Sequence, residues 1–71
     1  DKDGFRQVPL LESEGYLSAE YAYLYPPGIP MVVPGEKITA QTVEHFRWYM
    51  DRAYEIQGTK REGYIEVWTR G

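Results

Sequence analysis

The sequence contains no cysteine and a single histidine, His45. Disulfide stapling and thiolate metal sites are excluded, and one imidazole cannot build a histidine metal cluster. Basic residues are in the minority, 8 Lys and Arg against 11 Asp and Glu for a formal net charge of -3, which works against a phosphate backbone as partner. No window approaches the roughly 18 to 20 uninterrupted apolar residues that a membrane helix needs, and no secretory leader pattern opens the chain. A cytoplasmic setting is the default expectation. There is no internal repeat, no low-complexity segment, no Gly-x-Ser-x-Gly elbow and no Walker-type phosphate loop.

What is present fits one small domain. A chain of 71 residues forms one domain at most, and at this length folding buries only about 60% of the surface that the unfolded chain exposes. With neither disulfide nor metal available, the remaining support for so thin a core is a neighbouring domain or subunit. The first residues, Asp1-Lys2-Asp3-Gly4, form a charged run without an initiator Met, which leads to the expectation of a piece of a longer protein.

Periodicity and Gly/Pro punctuation divide the chain into four stretches. Phe5 to Glu14 reads as a short strand or irregular lead-in. Tyr16 to Tyr25 alternates, with Leu17, Ala19, Tyr21, Tyr23 and Tyr25 on one side and Ser18, Glu20, Ala22 and Leu24 on the other, which predicts a strand. Pro26-Pro27-Gly28 ends it, and Ile29 to Val33, between Pro30 and Pro34, is an edge strand or a pinned loop. After the Pro34-Gly35-Glu36 turn, Thr39 is a plausible N-cap for a helix over about 40–57 stopped by Gly58, with Val43, Phe46, Tyr49, Met50, Ala53, Tyr54 and Ile56 facing the core. A last strand, Tyr64 to Thr69, sets Ile65 and Val67 on one face and Tyr64 and Trp68 on the other. The fold class is α+β: a few short strands packed by one principal helix.

No nucleophile with a base and an orienting group is visible, so no catalytic residue is assigned. His45 sits at the border of the apolar and polar helix faces and reads as an ordinary boundary histidine. Glu36 either complements the positive end of the helix dipole or is held rigidly by its turn where a cationic ligand could meet it. Trp48 falls on the otherwise polar helix face with Glu44, Asp51, Arg52 and Glu55, out of pattern, and tryptophan is enriched at binding hot spots. Tyr21, Tyr23 and Tyr25 are either core cover for their strand, the favoured reading, or an aromatic ridge that meets another domain.

The stretch Tyr25-Pro26-Pro27-Gly28-Ile29-Pro30, continuing through Met31-Val32-Val33 to Pro34-Gly35-Glu36, resembles the C-terminal domain of the bacterial ornithine/lysine/arginine decarboxylases. These are pyridoxal-phosphate enzymes of the aspartate-aminotransferase fold type. The approach Gly15-Tyr16-Leu17-Ser18-Ala19-Glu20 also fits, with Tyr16 where an arginine is common, and the resemblance runs from about Val8 to Gln57, with Gly63 to Thr69 similar to the family's final strand.

The resemblance implies an accessory domain, 1–71, of a larger enzyme that removes CO2 from lysine, arginine or ornithine to give a polyamine or its precursor. The family's cofactor lysine follows a histidine in the large domain. None of Lys2, Lys37 and Lys60 does so, so no cofactor is expected on this chain and pyridoxal phosphate is expected in the parent. The implied partners are the catalytic domain of the same protein and a second subunit of a homodimer or larger assembly. By the same similarity, Tyr25, Pro26, Pro27, Gly28, Pro30 and Glu36 would face the active-site entrance, where prolines fix the loop in advance. The alternative is a free-standing interaction module that binds a protein through Trp48, Tyr21 and Tyr23.

Overall fold

The computed structural model describes residues 4–25 and 28–69. Strand β1 (Phe5–Pro9) runs into a 3-10 turn (Leu10–Glu12). Then follow β2 (Leu17–Ser18), β3 (Ala22–Tyr25), β4 (Ile29–Val32), helix α1 (Ala40–Asp51), β5 (Glu55–Gln57) and β6 (Tyr64–Trp68). The strands form two antiparallel sheets, ordered β1-β6-β2 and β4-β3-β5. The expected α+β class is therefore what the chain adopts.

Between the sheets and α1 lies a core of Val8, Leu10, Ala22, Val32, Ile38, Val43, Phe46, Ile65 and Val67. Phe46, Leu10, Ile38 and Ile65 are among its largest fully buried side chains, each worth about 1.5–3 kcal/mol of transfer free energy. The last strand has the predicted phase, with Ile65 and Val67 inward and Trp68 exposed. β4 is an edge strand, which accommodates Pro30 because an edge amide need not bond within the ladder.

Three expectations are corrected. The stretch from Tyr16 to Tyr25 is not one strand: β2 pairs with β6, whereas β3 pairs with β4 and β5, so the chain changes sheets between Ser18 and Ala22. Its buried side is the one carrying Ser18, Glu20, Ala22 and Leu24, and Tyr21 and Tyr25 are exposed. The tyrosines are thus outer cover, not core.

The helix ends at Asp51, well before Gln57. Thr39 caps its start as expected, its Oγ1 accepting from the Thr42 N–H at 3.2 Å. At the other end the Ala53 N–H donates to the Met50 carbonyl at 3.1 Å and the Tyr54 N–H to the Tyr49 carbonyl at 3.0 Å. This is the Schellman pattern, accompanied by an edge-to-face contact between the Tyr49 and Tyr54 rings with centroids 5.4 Å apart. Its left-handed position, which usually holds glycine, is Ala53 with φ 64°. Ala53 and Ile56 therefore lie beyond the helix, and the chain is free to form β5. Ala53→Gly is expected to stabilise the fold by about 0.5–1 kcal/mol, as relief of roughly 1–2 kcal/mol of steric cost exceeds the extra backbone entropy of glycine. A rise in the urea midpoint at unchanged m-value checks this.

Candidate functional site

The residues expected at an entrance occupy two ends of one strand. At the first end Tyr25 and Ile29 are exposed at the hairpin between β3 and β4, and the Gly28 N–H donates to the Leu24 carbonyl at 2.6 Å. Gly28 has φ 86°, a left-handed conformation open to glycine. Pro30 is exposed on β4, and Pro26 and Pro27 lie outside the described residues. Glu36 sits past the other end of β4, about 10 Å of strand away at roughly 3.3 Å per residue. The segment is continuous, but its tip and its carboxylate are separate features.

Glu36 does not lie in the first turn of α1. Its Oε1 accepts from the Val33 N–H at 3.2 Å, bracing the Pro34-Gly35 turn, and its backbone carbonyl accepts from the Ser18 N–H at 2.9 Å. The turn is further tied by the Gly35 N–H donating to the Ser18 carbonyl at 2.7 Å. The side-chain bond engages one oxygen of an exposed carboxylate and braces the turn.

The three aromatic candidates do not gather. Trp48 is 49% exposed, and its ring carries the Arg52 guanidinium 3.8 Å above its centroid. The same guanidinium donates to the Trp48 carbonyl at 3.1 Å, so one indole face is covered from within the chain. Trp48 also meets Tyr49 edge to face. Tyr21 is 60% exposed, and Tyr23 is half-buried with its ring over Gly58. Among the described residues no ring contact joins Trp48 to Tyr21 or Tyr23. His45 is exposed on α1.

One polar centre escaped the sequence reading. Glu20 is 8% exposed, and its two carboxylate oxygens accept separate backbone amides: Lys60 N–H at 2.9 Å and Glu66 N–H at 2.8 Å. Ser18 is fully buried and supports it, donating from Oγ to the Glu20 carbonyl at 2.6 Å and accepting from the Glu20 N–H at 3.2 Å. The side chain thus binds together β6, the turn before it and the crossing between sheets. With both oxygens engaged by amides, its arrangement is that of a structural clip. Its signal in the sequence was a carboxylate in phase with Ala22 and Leu24.

The chain was compared with known proteins against this geometry. Residues 2–67 match the family described as Orn/Lys/Arg decarboxylase, C-terminal domain. The chain belongs to this family. The arginine decarboxylase of Bacillus subtilis is 39% identical over 51 residues, covering 72% of this chain and 10% of that protein. The inducible ornithine decarboxylase of Lactobacillus sp. is 42% identical over 65 residues, covering 79% and 9%. Among solved structures, the lysine decarboxylase of Francisella novicida superposes over 94% of this chain and 11% of its own, with a TM-score of 0.73 and 32% identity. The chain thus spans about a tenth of the length of these relatives.

Family membership raises the question of pyridoxal phosphate, which needs an amine for its aldehyde and donors for its phosphate. Lys37 is exposed beside the Glu36 turn. Lys60 is exposed and donates from Nζ to Glu66 Oε1 at 3.0 Å, and that hydrogen bond, with the Glu66 charge behind it, raises its pKa above the ordinary lysine value. The groove of about 770 Å³ formed by Met50, Tyr54, Ile56, Gln57, Lys60 and Glu62, among others, is open to solvent and includes none of the expected site residues. Among the described residues, Lys37 and Lys60 are thus both exposed, and neither stands in an enclosed pocket with the expected site residues. No helix among them is long and apolar enough to cross a membrane, and no group of three or more His, Asp and Glu side chains is arranged to hold a metal.

Proposed function

We propose that this chain is the accessory domain of a cytoplasmic, pyridoxal-phosphate-dependent decarboxylase of ornithine, lysine or arginine. It carries no catalysis of its own and contributes to domain and subunit packing. The observation that carries the reading is the family match over residues 2–67. The cofactor and the reactive lysine belong to the larger part of the parent, and the product is a polyamine or its precursor.

In this reading the braced Glu36 turn and the Tyr25 to Pro30 segment frame the approach to the active site of a homodimeric or larger parent. Basic amino acids bring a side-chain cation, and a fixed exposed carboxylate on their path raises the encounter rate by a modest, salt-dependent factor. Glu36→Gln in the parent is expected to lower kcat/KM about two- to five-fold at low ionic strength, with the difference fading as salt screens the charge. An unchanged specificity constant and unchanged salt dependence would reject the role of Glu36. A free-standing module that binds through Trp48, Tyr21 and Tyr23 is the weaker account, because Arg52 covers one face of Trp48 and Tyr23 rests on Gly58.

A further inference from the structure

Ile65 and Val67 of β6 point into the core, so Tyr64, Glu66 and Trp68 point away from it on the outer face of the β1-β6-β2 sheet. The two ends of that face differ. At one end the chain covers itself: the Arg61 guanidinium lies 3.9 Å above the Tyr64 ring centroid, and Lys60 reaches Glu66. At the other end the antiparallel register sets Phe5 and Leu17 on either side of Trp68. Phe5 and Trp68 are in ring contact at 4.3 Å, while Trp68 and Leu17 are each 41% exposed. The Thr69 N–H donates to the Gly4 carbonyl at 2.7 Å, fixing the patch's edge. Hence one sheet face has a polar end that is occupied and an apolar end that is open.

The geometry points to the cluster of Phe5, Leu17 and Trp68 as the docking face for the polypeptide that precedes this domain in the decarboxylase, an inference that rests on the proposed function. The matching relatives are about ten times longer, and the family model that residues 2–67 match is described as a C-terminal domain. Most of such a protein therefore comes before β1, and it enters the domain beside Phe5, itself a member of the cluster. A covalently joined segment is present at high effective concentration, so even a small apolar patch suffices to hold it. An indole flanked by two apolar side chains is the kind of anchor that such a contact uses.

The test uses the full-length protein, with any native cysteines replaced and a single cysteine introduced as Leu17→Cys or, for reference, as Gln41→Cys on the exposed face of α1. Maleimide labelling at position 17 is expected to be at least about ten-fold slower than at position 41, as burial limits access to local opening. Adding Trp68→Arg is expected to restore reactivity at 17 without altering that at 41. Equal rates at 17 and 41 would overturn the inference, even if Trp68→Arg prevented folding. Protection that disappears on dilution to monomers would also overturn it, because a second copy would then be the occupant. Decarboxylation of lysine, arginine and ornithine is measured on the same samples: activity with position 17 unprotected removes the docking face alone, and protection without activity removes the functional assignment alone.

Discussion

Glu20→Ala is expected to destabilise the fold by about 2–4 kcal/mol, because it strips two backbone amides of their only described acceptor at a cost of roughly 1–3 kcal/mol each. The lower part of that range applies since both bonds are only partly buried, so water reaches the amides after the substitution. For a domain whose core supplies only about 3–5 kcal/mol in total, the loss removes a large part of its stability. Glu20→Gln is expected to be milder, since its amide oxygen still accepts from one partner while its NH2 group opposes the other donor. Urea unfolding gives the magnitude, and hydrogen exchange at Lys60 and Glu66 gives the site. Unchanged protection of both amides in Glu20→Ala would show that the carboxylate does not hold the crossing together.

Gly58→Ala is the second large effect, expected at about 2–5 kcal/mol. Gly58 has φ 100°, and a Cβ there would lie 2.8 Å from Tyr23 Cε1 and 2.9 Å from the Tyr21 carbonyl oxygen. The backbone conformation costs an L-residue roughly 1–2 kcal/mol, and crowding of this kind adds about 1–3 kcal/mol. The Tyr23 ring can swing outward, whereas the Tyr21 carbonyl belongs to the chain itself. Removing the ring with Tyr23→Ala should therefore recover only part of the loss, which a double-mutant cycle measures. Additive single effects would mean that the two residues do not meet as described.

These residues also show what local pattern reveals. The strong signals were period and punctuation: alternation in β6, Thr39 at the start of α1, and prolines that confined β4 to an edge. The Pro/Gly-rich segment from Tyr25 to Glu36 carried the resemblance that the family match over residues 2–67 bears out. Alternation identified the two sides of the stretch around Tyr21 but not which side was interior, because the buried Glu20 is acceptable only when distant amides complete it. The end of α1 was hidden for a similar reason. Its stop is built from hydrogen bonds and a ring contact around an alanine, where a glycine would have marked it. Gly58 looked like that stop, yet it answers to the Tyr23 ring and the Tyr21 carbonyl, neither of which is a local feature of sequence. For the site, the turn before Glu36 was legible in Pro34 and Gly35, while the Arg52 cover on Trp48 required the folded helix end.

The most direct test of the central claim is release of CO2 from lysine, arginine and ornithine by the full-length protein with and without these 71 residues. An accessory domain predicts an active parent and a deletion that stays folded but loses kcat/KM. A deletion that keeps full activity and the same oligomeric state would contradict it.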